Sequence, residues 1–324
     1  MESNRQTKPL ASVSLDLDNQ WSYMKIHGDE GWDAYPSYFD IFVPHVLNVL
    51  DELELKITFF IVGKDTEREE NRKYLKMITN RGHEVGNHSY HHESWLQTYS
   101  YEKIEKEIRE AEEAIESVTG QRTTGFRGPG FSWSKDLLTV LESRGYRFDA
   151  STLPTYLGPL ARMYYFSKSD LSKEEKKARK ELFGKFSEGF RNLKPYKWDL
   201  GEGKNITEMP VTTMPVFKIP FHLSYLIFLG NMSMPLMNLY LGMAIRLCKI
   251  TNTPVSFLLH PLDLIGGDQI SQLAFFPGMN VSSDKKVKIF KQVIRTLSRH
   301  YTIVNMSKHH NFLASNTKMS LKKL

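Results

Sequence analysis

Apolar and polar positions alternate along Ala11-Ser12-Val13-Ser14-Leu15-Asp16-Leu17-Asp18, the period of a strand with one apolar and one polar face. The period then lengthens. Val43, Val46, Leu47, Leu50 and Leu53 mark a helix over 41–53, and Ile57-Thr58-Phe59-Phe60-Ile61-Val62 reads as the next strand. Further helices are expected over 71–80, 100–118, 136–144 and 285–299, with strands over 83–86, 124–127, 145–151, 254–261 and 301–304. Such alternation predicts a parallel sheet or an α/β barrel with functional residues at the C-terminal strand ends.

Three stretches fall outside this rhythm. The aromatic segment 21–38, with Gly28, Gly31 and Pro36, reads as a long structured loop. Residues 154–205 follow neither period and read as an insertion holding a charged helix over 172–186, after which Glu208-Met209-Pro210-Val211 resumes the sheet. The most apolar part, 221–250, is interrupted by His222, Asn231, Pro235 and Asn238, so it is not a membrane span. It is expected to be a buried helix pair, with a lipid-facing or substrate-covering lip as the sharper alternative.

Composition adds limits. The 324 residues suffice for a large core, and 40% hydrophobic with 25% charged residues is ordinary for a globular protein. The lone Cys248 excludes an intramolecular disulfide and fits a reducing compartment. Residues 1–9 are polar with no apolar run before the first strand, which makes the cytoplasm the expected location, with the inner membrane surface as an alternative. The net charge of +6 is uneven: 162–204 carries 12 Lys/Arg against 7 Asp/Glu, and 308–324 has four lysines and no acid. These basic stretches suit an anionic membrane or a phosphorylated substrate, or are solvated charge alone. No motif supports nucleic-acid binding.

The candidate chemistry centres on Gly82-His83-Glu84-Val85-Gly86-Asn87-His88-Ser89-Tyr90-His91-His92-Glu93, which holds four histidines. His88 and His92 stand four residues apart, and His88 and His91 form a second possible ligand pair. A zinc-protease H-E-x-x-H fails because Asn87 occupies its last position. Elsewhere Asp16 and Asp18 share a strand face, and Arg127, Asp149 and His260 sit at or just beyond expected strand ends. The working set is Asp16, Asp18, His88, His92, Arg127, Asp149 and His260.

In this order the residues resemble the polysaccharide deacetylases, carbohydrate esterase family 4. Leu15-Asp16-Leu17-Asp18 is similar to the first motif, in the form of a subgroup with one residue between the aspartates. His88-Ser89-Tyr90-His91-His92 is similar to the second, Arg127-Gly128-Pro129 to the third and Leu259-His260-Pro261 to the last, while Phe148-Asp149-Ala150-Ser151 is similar to a Tyr-Asp-Ser-Ser element of that subgroup. The chain departs from the pattern at Gly130, where many relatives carry an aromatic, and shows no tryptophan-containing fourth motif.

The resemblance implies a distorted, incompletely closed (β/α)7 barrel, one catalytic domain over 11–307, flanked by an extension (1–10) and a basic tail (308–324). It implies a divalent metal, zinc first with cobalt or manganese as alternatives, held by Asp18, His88 and His92. Asp16 is expected as base, Arg127 as its partner and His260 as general acid. Asp149 would orient His260 or Arg127, backbone amides of 128–131 would assist an oxyanion, and His91 would be no ligand. The implied reaction removes an N-acetyl or N-formyl group from an amino sugar, and the basic and apolar segments extend this to a lipid-linked substrate and peripheral contact with an anionic membrane. The rival expectations are a glycoside hydrolase using Asp16 and Asp18, and a non-catalytic carbohydrate-binding relative. Oligomeric state is left open.

Overall fold

A computed structural model of the protein describes residues 8–158 and 186–324. The first strand, β1 (Leu10–Leu17), lies between two parallel neighbours, β2 (Thr58–Ile61) and β8 (Val255–Leu259). From β2 the sheet continues in parallel through β3 (Glu84–Asn87), β4 (Gly125–Phe126), β5 (Phe148–Asp149) and β7 (Lys204–Glu208). Seven strands, β8-β1-β2-β3-β4-β5-β7, thus point the same way. Beyond β7 the ladder does not close onto β8; one backbone bond from Thr212 to the Ser256 carbonyl (3.0 Å) bridges the gap. The expected incompletely closed barrel is the observed architecture.

Both faces of β1 are buried, and they differ in character. Val13, Leu15 and Leu17 join the main apolar core. Ser12, Ser14 and Asp16 face the other way: Ser12 meets His309 (2.9 Å), and Ser14 and Asp16 both accept from Arg127 (2.9 and 2.7 Å). The alternation read from the sequence therefore separates an apolar layer under the helices from a hydrogen-bonded polar interior, as buried polar groups require.

The helices α2 (Phe39–Glu52), α3 (Glu69–Asn80), α4 (Tyr101–Thr119) and α5 (Lys135–Ser143) lie where the 3.6-residue period places them. Two of their ends are readable: Ser100 caps α4 by accepting from the Lys103 amide, and Gly120 ends it in a left-handed conformation (φ 70°).

Three expectations change. Segment 21–38 is not all loop: Gln20–His27 forms helix α1, capped by the Asn19 side chain and closed by Gly28 (φ 95°). Its apolar residues do not follow one stripe, so periodicity missed it. Within 154–205, Tyr196–Gly201 (β6) and β7 make an antiparallel hairpin that extends the sheet, so that part belongs to the scaffold. The charged helix read over 172–186 lies outside the described residues except for Phe186. The basic stretch 308–324 packs on the body: after the short strand Thr302–Val304 (β9) beside β1, helix Met306–Asn316 buries His309, His310 and Leu313, and Leu321–Lys323 (β10) pairs with β6.

The apolar segment forms α6 (Leu223–Met232) and α7 (Met234–Ile250), followed by α8 (Ser283–His300) and, over Met306–Asn316, α9. Among the described residues no helix is long and apolar enough to cross a membrane.

Candidate metal and catalytic site

Six residues of the working set sit at or just past the C-terminal end of a parallel strand, and the seventh, His92, lies in the loop after β3, so all stand at one end of the barrel. Asp16 is the penultimate residue of β1 and Asp18 follows it; His88 follows β3, Arg127 follows β4, Asp149 ends β5 and His260 follows β8. A cavity of about 650 Å³ opens there and is lined by Asp16, Asp18, His88, His92 and His260.

His88 and His92 converge through a loop, not a turn of helix. Ser89 (φ 62°) and His92 (φ 53°) are both left-handed, a conformation disfavoured for side chains with a Cβ and maintained only by surrounding bonds. Those bonds are present. The Ser89 amide donates to the Asn87 side chain (2.8 Å), and Glu107 accepts from the amides of Tyr90 (3.1 Å) and His91 (3.0 Å). Glu107 also takes the His91 ring at 2.6 Å. His91 is turned away from the cavity by that contact.

The ligand-type atoms of Asp18, His88 and His92 all lie within 4.8 Å of one another, and all three residues are buried. Asp18 Oδ1 stands 3.0 Å from Nε2 of His92 and 3.4 Å from Nε2 of His88. His88 Nδ1 lies 2.6 Å from the Arg127 carbonyl; donating there, the ring would present an Nε2 lone pair to a cation, whereas without one Nε2 can carry a proton to Asp18, since burial opposes the charged imidazole but the Asp18 carboxylate prevails and raises it. Burial disfavours the Asp18 charge, but the imidazoles of His92 and His88 outweigh it and hold the carboxyl well below its usual range. Two imidazole nitrogens and one carboxylate oxygen, buried and convergent, fit a divalent transition metal with open positions for substrate.

Beside the cluster, Asp16 is paired with Arg127, which is fully buried. The guanidinium is held by Ser14, by the Ala150 carbonyl (3.1 Å) and by the Phe60 ring at 4.6 Å. Across the cavity the Asp263 carboxylate accepts from the His260 amide (2.9 Å) and lies 3.8 Å from its Nδ1. Burial works against a charged His260; the Asp263 carboxylate, with the charges of Asp16 and Asp18, prevails and raises it to about 9. The turn carrying Asp263 is fixed by buried Lys286, which donates to the Leu262 (2.7 Å) and Ile265 (2.8 Å) carbonyls.

Asp149 stands apart. Its side chain accepts from Ser151, whose hydroxyl accepts from the Gly128 amide (2.7 Å), and burial raises both its carboxyl and that of neighbouring Glu208. Arg127 is paired instead with Asp16 and His260 with Asp263, and Asp149 does not line the cavity. The oxyanion expectation also narrows, since the amides of Gly128 and Phe131 are already bound to Ser151 and to the Gly128 carbonyl. Gly130, the departure from the family pattern, is left-handed (φ 60°), and a Cβ there would approach Ser94 to 3.2 Å, so the turn favours glycine.

Two cavity residues escaped sequence reasoning. His222, at the start of α6, has its ring 6.2 Å from that of His260, and burial together with the His260 charge lowers it to about 4. Asp263 lies three residues past His260 in a short turn, where no periodicity marks it; the only available signal was its position beside a candidate acid.

Comparison with known proteins bears on this geometry. Residues 29–148 match the family model for polysaccharide deacetylases. That span holds His88, His92 and Arg127, and the fold brings Asp16, Asp18 and His260 to them. A peptidoglycan deacetylase of Helicobacter pylori is 29% identical over 183 residues, covering 53% of this chain and 60% of that protein. A peptidoglycan-N-acetylglucosamine deacetylase of Bacillus cereus is 27% identical over 143 residues, covering 44% and 62%. The chain thus spans about three fifths of the length of these curated relatives. A Mycobacterium smegmatis structure provisionally assigned to the polysaccharide deacetylases shares the fold, with a TM-score of 0.60 at 17% identity over 98% of this chain and 95% of that one. Residues 29–148 thus match the polysaccharide deacetylase family model, and the whole chain shares its fold with the Mycobacterium smegmatis structure.

Proposed function

We propose that the protein hydrolyses an N-acyl group, acetyl first, from an amino sugar, using a divalent metal held by Asp18, His88 and His92. One observation carries this reading: the base-type pair Asp16–Arg127 and the acid-type pair His260–Asp263 share one cavity with the three-ligand cluster. A cation bound there would supply Lewis-acid polarisation of the amide carbonyl and acidify a water; zinc is the first candidate, with cobalt or manganese as alternatives.

The chain's own residues complete the reaction. Asp16, oriented by Arg127, takes a proton from the water that adds to the carbonyl carbon. His260 then gives its proton to the departing nitrogen as the C–N bond breaks, releasing carboxylate and amine. His222, neutral and buried beside His260, offers ring nitrogens to the sugar without adding a competing charge. The deacetylase names of the relatives support the substrate class. A lipid-linked form of that sugar is favoured by the apolar segment whose first residues wall the cavity.

A glycosidase reading is disfavoured by the carboxylates themselves, because Asp16 is committed to Arg127 and Asp18 to the histidines, which leaves neither as a proton donor. The test is carboxylate release over a panel of free, nucleotide-linked and lipid-linked N-acetyl and N-formyl amino sugars. Release by the parent, and loss of at least about 100-fold in Asp16→Asn and His260→Ala, is expected. Undiminished release in Asp16→Asn would refute the assignment.

A further inference from the structure

Helix α7 has two apolar faces. Met237, Leu241, Ala244, Ile245 and Cys248 are buried against the core. The opposite stripe, Leu236, Leu239, Met243 and Ile250, faces solvent, and Leu239 is 71% exposed. The preceding helix continues the surface with Phe228 (67%) and Met232 (66%). A helix apolar on all sides is ordinarily enclosed, yet neither α6 nor α7 is long and apolar enough to cross a membrane. Exposed apolar surface of this extent marks an interaction site.

Charge identifies what covers it. Between Met209 and Leu262 there is no Asp or Glu, while Lys218, Arg246 and Lys249 lie within the same span. The acids that bound it, Glu208 and Asp263, are both buried. Apolar side chains projecting from an acid-free, basic stretch of chain suit the interface of an anionic bilayer, where rings and alkyl chains enter the acyl boundary and Lys/Arg meet headgroups.

Position gives the contact a purpose. Pro220, Ser224 and Tyr225 line the active-site cavity, the last two about one helical turn before Phe228, and Val216 and Phe217 lie exposed just ahead of Pro220. The apolar surface therefore begins at the cavity wall.

We propose that the exposed face of α6 and α7 docks the protein on an anionic lipid surface with the cavity beside the bilayer. That the lipid-linked sugar enters directly from that bilayer rests on the reaction proposed above; the docking itself does not.

The experiment is co-sedimentation of the full chain with phosphatidylcholine vesicles, with and without phosphatidylglycerol. Parallel assays are thermal melting, light scattering and acetate release from a soluble N-acetylated chitooligosaccharide. Binding to the anionic vesicles is expected, weakened roughly tenfold or more in Phe228→Ser/Leu239→Ser and in Arg246→Glu/Lys249→Glu. Melting and soluble-substrate release should stay at the parent level, since these side chains touch neither core nor cavity. Absence of binding to either vesicle, or variants that bind like the parent, would overturn the proposal. So would a dimer that Phe228→Ser/Leu239→Ser converts to monomer without vesicle binding, which would make a second copy the occupant. Vesicle binding by a protein that releases no acetate would leave the docking standing and remove the reaction.

Discussion

Arg127 joins the two halves of the site: its carbonyl oxygen lies 2.6 Å from His88 Nδ1, and its guanidinium donates to Asp16 across 2.7 Å. One residue thus bonds through its backbone to His88, the proposed metal ligand, and through its side chain to Asp16, the proposed base. The division predicts separable effects. Arg127→Lys should keep the divalent metal, because the carbonyl is retained, and lose at least about 100-fold in kcat, because a single ammonium cannot reach Ser14 and Asp16, held by Nη1, together with the Ala150 carbonyl, held by Nε. Arg127→Ala should also lose about 3–5 kcal/mol of stability, since Asp16 would be buried without its partner. Metal analysis, steady-state kinetics and urea unfolding measure these three quantities.

His260 must carry its proton to act as acid, so activity should hold below its pKa and fall as pH rises through it. With Asp263 in place that descent lies near 9. Asp263→Asn removes the carboxylate that opposes burial and should move the alkaline limb of kcat/KM downward by about one unit or more. An unchanged limb would assign the descent to another group.

The loop predicts a contrast among neighbours. His91→Ala should retain stoichiometric metal, because that ring is bonded to Glu107, whereas His88→Ala and His92→Ala should lose it. Metal content after dialysis distinguishes them. Glu107→Ala should lower stability by about 1–3 kcal/mol by leaving the Tyr90 and His91 amides unpaired.

Asp149 and Glu208 give a prediction about stability. Burial raises both, Asp149 to about 6, so the folded protein keeps a proton that the unfolded chain loses near pH 4. The pair's contribution is therefore present below about pH 4 and declines as pH rises toward 6 and above. Glu208→Gln supplies a permanent neutral donor to Asp149 and should flatten that decline in urea melts between pH 4 and 7.

Much of this site was readable because its determinants are short-range in sequence. A strand with Asp16 and Asp18, a loop with His88 and His92, and Arg127 and His260 at strand ends each announce themselves within a few residues. What escaped depends on tertiary context. Helix α1 is set by the Asn19 cap and by Trp21, whose indole donates to buried Asp65 at 2.8 Å, rather than by an apolar stripe. The β6–β10 pairing joins segments more than a hundred residues apart. Asp149 looked like its neighbours because it too ends a strand, but β5 delivers it to Ser151 and Glu208.

The central claim is a hydrolase whose chemistry depends on the ion held by Asp18, His88 and His92. Its most direct test is acetate release from an N-acetylated amino sugar by chelator-treated protein, before and after one equivalent of zinc, cobalt or manganese. Release should fall at least about 100-fold on chelation and return with metal in the parent and in His91→Ala, but not in His88→Ala. Release that persists undiminished after the metal has been removed would contradict it.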